Sequence, residues 1–134
     1  MNTRCIFIGG KQIGVNCLRG LLGKSIRPEL VIGNSDDNGA DNVLDDSLLK
    51  IADLESLETV REKKLSDPEL ISSFQNIQPE IIFCIGGTRI IPKEILNTPK
   101  LGCINIHPAL LPKYRGRFST AHAIFNGESQ TGVT

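Results

Sequence analysis

Arg4-Cys5-Ile6-Phe7-Ile8-Gly9-Gly10-Lys11-Gln12-Ile13-Gly14-Val15-Asn16-Cys17-Leu18-Arg19-Gly20-Leu21-Leu22-Gly23, followed by Leu30-Val31-Ile32, decides the fold class. Arg4 to Ile8 has the apolar continuity of a buried strand, and Gly9-Gly10 ends it. Lys11 to Leu22 then places Ile13, Cys17, Leu18, Leu21 and Leu22 at helical spacing, with Gly23 as the stop signal. Leu30-Val31-Ile32 is a second short strand. Strand, glycine turn, helix and strand in this order is a parallel crossover, the unit of doubly wound α/β sheets.

Downstream the pattern continues. Asn34 to Asp46 is polar and acidic and reads as a loop, its carboxylates (Asp36, Asp37, Asp41, Asp45, Asp46) solvated. Asp46 to Ala52 reads as a short helix. Ser66-Asp67-Pro68-Glu69 is a capping box with proline in the first turn, opening a helix to about Gln75. Ile81 to Ile85 is a continuous apolar run of strand length, broken by Gly86-Gly87. Pro92 to Leu96 predicts a short helix, Cys103 to Ile106 a strand, and Phe118 to Phe125 a helix ended by Asn126-Gly127. Gly132-Val133-Thr134 reads as the start of another strand.

Composition narrows the class. The 134 residues suit one domain, and 40% hydrophobic content permits a core. No apolar run approaches the ~20 residues of a membrane span. The N-terminus lacks the pattern of a signal peptide, so a cytoplasmic protein is expected. Fifteen basic side chains balance fifteen acidic ones, which argues against strong overall attraction to nucleic acid. Cys5, Cys17, Cys84 and Cys103 form no CxxC pair, and Cys5, Cys84 and Cys103 lie in strand-like runs. Reduced, mostly buried thiols are expected. His107 and His122 have no metal-ligand spacing with them, so no metal is expected.

Cys103-Ile104-Asn105-Ile106-His107-Pro108-Ala109-Leu110-Leu111-Pro112-Lys113-Tyr114-Arg115-Gly116 carries the chemistry. Two positions apart on a strand, Asn105 and His107 point to one face. Imidazole titrates near pH 6.5 and handles protons at neutrality, while an amide can donate to a developing oxyanion. Taken alone, the residues leave this catalytic reading level with a structural histidine. Gly86 and Gly87 follow a central strand, where open parallel sheets bind ligands. Their exposed backbone, with Ile90 and Ile91 as apolar walls, suits a flat heterocycle. Gly10 and Lys11, at a strand-to-helix turn, read either as tight packing or as contact with an anionic substrate. Lys113, Arg115 and Arg117 either neutralise a phosphate or solvate a loop. His122 reads as structural.

The segment His107 to Gly116 resembles the folate-dependent formyltransferases, whose Asn-x-His pair precedes Ser-Leu-Leu-Pro and often Lys-Tyr-Arg-Gly. Here Ala109 replaces the serine. Ile81 to Leu96, Leu101 to Asn105, Asn126-Gly127-Glu128 and Thr131-Gly132-Val133-Thr134 are similar as well. The resemblance implies a Rossmann-like, doubly wound, mostly parallel sheet with flanking helices. It implies 10-formyltetrahydrofolate as formyl donor, Asn105 bonding the oxyanion and His107 stabilising it or moving a proton. Ala109, Leu110, Leu111 and Pro112, with Gly86, Gly87, Ile90 and Ile91, would line the folate pocket. The family also carries an aspartate in an Asp-x-Gly segment beyond Thr-Gly-Val-Thr. The sequence stops at Thr134, so residues 1–134 are expected to be a catalytic domain incomplete at its C-terminal end.

Methionyl-tRNA formyltransferases share these motifs but typically carry a basic loop after the second strand. Here Gly33 to Asp41 is acidic, which repels a phosphate backbone. Gly116 to His122 is more similar to formyltransferases acting on nucleotide-linked amino sugars. A nucleotide-linked amino sugar is the expected acceptor, methionyl-tRNA or another small amine the alternative, and homodimerisation of the full-length protein is left open. A folate- or nucleotide-binding fragment without activity is the reading from another class.

Overall fold

The apolar runs become the middle of one sheet. The computed structural model describes residues 3–62 and 64–134. In it β1 is Cys5–Gly9, β2 Leu30–Gly33, β3 Thr59–Arg61, β4 Ile81–Ile85 and β5 Cys103–Ile106. Their order is β3-β2-β1-β4-β5, and every pairing is parallel. This is the Rossmann-like doubly wound arrangement expected, with all five strands parallel where a mostly parallel sheet was anticipated. Thr59-Val60-Arg61 was not legible as a strand. It is an edge strand of three residues, none of them buried.

The helices are α1 (Lys11–Gly23), α2 (Leu48–Leu54), α3 (Pro68–Ile77), α4 (Lys93–Leu96) and α5 (Ser119–Phe125). Alternation along the strands divides the core in two. Ile6, Ile8, Leu30, Ile32, Ile82 and Cys84 pack with Leu70 and Phe74 of α3 and Ile95 of α4. On the opposite face Phe7, Val31 and Ile85 pack with Val15 and Leu18 of α1 and Leu48 and Ala52 of α2. Fully burying one such aliphatic or aromatic side chain contributes about 1.5–3 kcal/mol.

Helix boundaries shift where capping decides them. Helix α2 begins after Ser47, whose hydroxyl accepts from Lys50 N–H at 3.0 Å, two residues later than expected. Asp67, in place of Ser66, caps α3: its Oδ1 accepts from Glu69 N–H at 2.9 Å. Pro68 takes the first helical position, which leaves Asp67 as the last extended residue. Residues 132–134 form no assigned strand. Even so, His107 N–H donates to Thr134 O at 2.8 Å and Thr134 N–H to His107 O at 3.0 Å. That reciprocal exchange is the hydrogen-bonded pair of an antiparallel ladder.

Close packing at the first turn demands glycine. A Cβ on Gly14 would sit 2.7 Å from Ile85 O, so α1 rests directly on the end of β4. Gly86 has φ +69°, and a Cβ there would collide with Gly10 O.

Candidate active site

Parallel register lines up one row of residues across the sheet. Arg61 pairs with Gly33, Gly33 with the row of Gly9, Gly9 with Ile85, and Ile85 with Ile106. The residues that follow these, Glu62, Asn34, Gly10, Gly86 and His107, therefore leave the sheet side by side at its carboxyl edge. Adjacent strands lie about 4.8 Å apart. The order reverses between β1 and β4, the place where doubly wound sheets hold ligands.

His107 is half-buried and Asn105 exposed, at the end of β5. His107 Nε2 lies 2.8 Å from the backbone carbonyl of Tyr114. A carbonyl only accepts, so in the neutral ring Nε2 carries the proton and Nδ1 keeps its lone pair. The loop beyond is tied down beneath this ring. Ala109 N–H donates to His107 O at 2.8 Å, Thr134 Oγ1 donates to Ala109 O at 2.8 Å, and Ser119 Oγ donates to Pro108 O at 3.0 Å. The Leu111–Pro112 peptide is cis.

Gly86 and Gly87 emerge beside this loop because β4 and β5 are neighbours. Their conformation is set by Asn34, a residue sequence reasoning missed. Asn34 is 2% exposed. Its Nδ2 donates to Gly86 O at 2.9 Å, and its Oδ1 accepts from Thr88 N–H at 3.3 Å. Its place as the first polar residue after the apolar run of β2 was the available signal. Ile90 is exposed and Ile91 packs against the α3–α4 core. Leu110 and Leu111 are about half exposed, flanking a cavity of about 390 Å³ with Pro112, Lys113, Tyr114 and Glu128.

Four of the expected contact residues have partners within the chain. Ala109 is buried, and its carbonyl accepts from Thr134 Oγ1. Gly10 N–H donates to Ile85 O at 3.2 Å. Lys11 Nζ pairs with Asp36 at 2.7 Å and Lys113 Nζ with Glu128 at 3.2 Å. Arg115 is exposed. His122, read as structural, is also exposed.

The acidic loop is not merely solvated. Asp45 Oδ1 accepts from Gln12 N–H at 2.7 Å and caps the first turn of α1. Asp46 pairs with Arg19 at 3.0 Å and Asp41 pairs with Lys50. Asp37 accepts from Ser47 Oγ at 2.6 Å. Lys11, through its hydrogen bond, holds the Asp36 carboxyl below the usual carboxylate range, and the charge of Arg117 adds a smaller pull. Arg117 itself lies 5.1 Å above the Phe118 ring.

Glu62, also missed, is 2% exposed. Arg89 Nε stands 3.3 Å from its Oε1, yet that oxygen has no hydrogen-bond partner among the described residues. Burial pushes the Glu62 carboxyl up, against the opposing pull of Arg89. All four cysteines are free thiols, and burial pushes Cys5 and Cys84 up to about 11. Among the described residues no cluster of three or more His, Cys, Asp or Glu could hold a metal, and no helix is long and apolar enough to cross a membrane.

Comparison with known proteins agrees with this fold. Residues 9–134 match the formyl transferase family. The chain is 36% identical over 133 residues to a methionyl-tRNA formyltransferase of Clostridioides difficile, covering 98% of this chain and 43% of that protein. It is 35% identical over 136 residues to the enzyme of that name from Thermodesulfovibrio yellowstonii, covering 100% of this chain and 44% of that protein. Among solved structures, a sugar 3N-formyl transferase crystallised with dTDP and 5-N-formyl-THF superposes with a TM-score of 0.70 at 27% identity, over 100% of this chain and 45% of that one. Phosphoribosylglycinamide formyltransferase from Bacillus halodurans shares the fold, with a TM-score of 0.74 at 17% identity over 98% of this chain and 70% of that one. The chain spans less than half the length of these two curated relatives. With its parallel sheet, its Asn105–His107 pair and a family match from residue 9 to residue 134, the chain belongs to the formyl transferase family.

Proposed function

We propose that this domain transfers a formyl group from 10-formyltetrahydrofolate to the primary amine of a nucleotide-linked amino sugar. One observation carries the reading: Asn105 and His107 stand at the carboxyl edge of β5, beside the glycine loop that follows β4. The donor supplies an activated formyl carbon. Gly86, Gly87 and Ile90 would hold its ring by exposed backbone and an apolar side chain, with Leu110, Leu111 and Pro112 on the facing loop. The half-exposed apolar side chains there suit a flat heterocycle better than water. Asn105 donates a hydrogen bond to the formyl oxygen as negative charge develops on it. His107 Nδ1, left unprotonated by the Tyr114 contact, accepts a proton from the attacking amine and returns it to N10 of the tetrahydrofolate as the C–N10 bond breaks. Arg115, exposed on the same loop, is available to an acceptor phosphate. Four free thiols suit a reducing cytoplasm.

The acidic loop favours a small acceptor. Its carboxylates take Lys11, Arg19 and Lys50 into ion pairs, withdrawing three cations from any phosphate backbone. The likeness to methionyl-tRNA formyltransferases favours methionyl-tRNA as the second reading. Formyl transfer to dTDP-linked amino sugars and to charged initiator tRNA, compared side by side, separates the two. Asn105→Ala and His107→Ala should each lower kcat by about 10²–10³. Turnover unchanged in both variants would sink the catalytic assignment.

A further inference from the structure

We propose that Glu128 is a positioning residue for His107, acting through the Tyr114 hydroxyl to fix which imidazole nitrogen carries the proton. The inference rests on the catalytic reading of His107 and adds residues that lie outside the Asn-x-His pair.

The path is continuous. Tyr114 O receives His107 Nε2 at 2.8 Å, so the direction of that carbonyl sets the tautomer of the ring. Tyr114 holds φ at 53°, in the left-handed region. A non-glycine residue stays there at a cost of about 1–2 kcal/mol unless its neighbours hold it. Here the side chain is held. The Tyr114 hydroxyl donates to Glu128 Oε1 at 2.7 Å and accepts from Asn126 Nδ2 at 3.3 Å. Lys113 Nζ reaches the same Glu128 oxygen at 3.2 Å, while Lys113 N–H closes the turn onto Leu110 O at 3.1 Å.

Glu128 is itself anchored. Its N–H donates to Ala123 O at 3.0 Å, just beyond the end of α5. The phenol and then Lys113 keep its carboxyl below the usual range, so it stays an acceptor at neutral pH. A short charge-assisted bond from a phenol is among the stronger polar contacts a surface can offer. Helix α5 therefore acts on the imidazole through one carboxylate, one phenol and one carbonyl. The reaction gains a ring already in the tautomer that leaves Nδ1 free.

Two-bond ¹H–¹⁵N correlation of the imidazole reads the tautomer directly in the 134-residue chain, with no turnover required. The wild type should show His107 as a single Nε2–H tautomer in its neutral form. Tyr114→Phe and Glu128→Ala should each convert this to a mixture, with the methyl spectrum of the core unchanged. Glu128→Gln keeps an oxygen for the phenol and should retain the wild-type signature. In a formyl-transfer assay, Glu128→Ala should lower kcat about tenfold and move KM less than about twofold. A wild-type ring protonated on Nδ1, or an Nε2–H signature that survives both Tyr114→Phe and Glu128→Ala, would overturn the inference. Because the nitrogen shifts are read without substrate, that outcome is separable from failure of the formyl-transfer reading, which the Asn105 and His107 variants test.

Discussion

Two loops leave the sheet side by side and are held by opposite means. The loop after β4 is fixed from inside, by Gly86, which admits no Cβ, and by the buried amide of Asn34. The loop after β5 is fixed from outside, by exposed polar contacts among Lys113, Tyr114, Asn126 and Glu128. Steric fixation is unforgiving but indifferent to solvent. Polar fixation at the surface is adjustable and contributes little to global stability. A site assembled between the two has one rigid wall and one tunable one. That pairing suits a reaction needing a fixed cradle for a flat donor and a precisely aimed imidazole.

Substitution at Gly86 should break the rigid wall most severely. Gly86→Ala places a methyl in the left-handed region and against Gly10 O, at a cost of about 3 kcal/mol or more. Thermal melting should fall by more than about 10 °C. An unchanged Tm would mean that the loop yields and is not sterically fixed. Asn34→Ala comes next. It strands Gly86 O and Thr88 N–H and should cost about 1–3 kcal/mol in urea unfolding. Faster amide exchange should be confined to the loop after β4, with the loop after β5 unaffected.

The smallest effect has the opposite sign. Glu62 ends in the same wall, buried and poorly satisfied beside Arg89. Its carboxyl titrates above the usual range in the folded protein. The neutral form is thus the one the fold prefers. Proton-linked stability is complete below the unfolded value near 4.3 and is lost as pH rises through the folded value. Glu62→Gln mimics the neutral acid, so it should raise Tm by about 3 °C at pH 8 and change it little at pH 4. A loss of stability at pH 8 would show that the Arg89 ion pair outweighs desolvation.

The same contrast separates what was legible in the sequence from what was not. Ile81–Ile85 and Cys103–Ile106 were read with their correct bounds, the first because a continuous apolar run ends at Gly86, the second because Gly102 and Pro108 bracket a strand-like stretch. The Asn105–His107 pair was legible because strand alternation alone puts two such residues on one face. Thr59-Val60-Arg61 escaped because an edge strand needs no apolar run. Asn34 and Glu62 escaped because burial of a polar side chain depends on which strands become neighbours, and β2 meets β4 only across β1. The acidic loop was read as a loop, but its anchors escaped for a related reason: Asp45 and Asp46 find Gln12 and Arg19 far back along the chain. The Tyr114–Glu128 contact spans α5, and no periodicity announces it.

The strand order has a consequence for how the chain is made. β1 occupies the middle of the sheet, yet its two neighbours are synthesised at different times, β2 soon after it and β4 only at Ile81–Ile85. No hairpin is available to start the sheet, since each pairing is parallel and closes a long loop. A growing chain that has reached β3 therefore carries Cys-Ile-Phe-Ile-Gly with one strand edge unmatched, an adhesive surface for any other extended segment. Protection during synthesis matters most for the segment that ends up best buried.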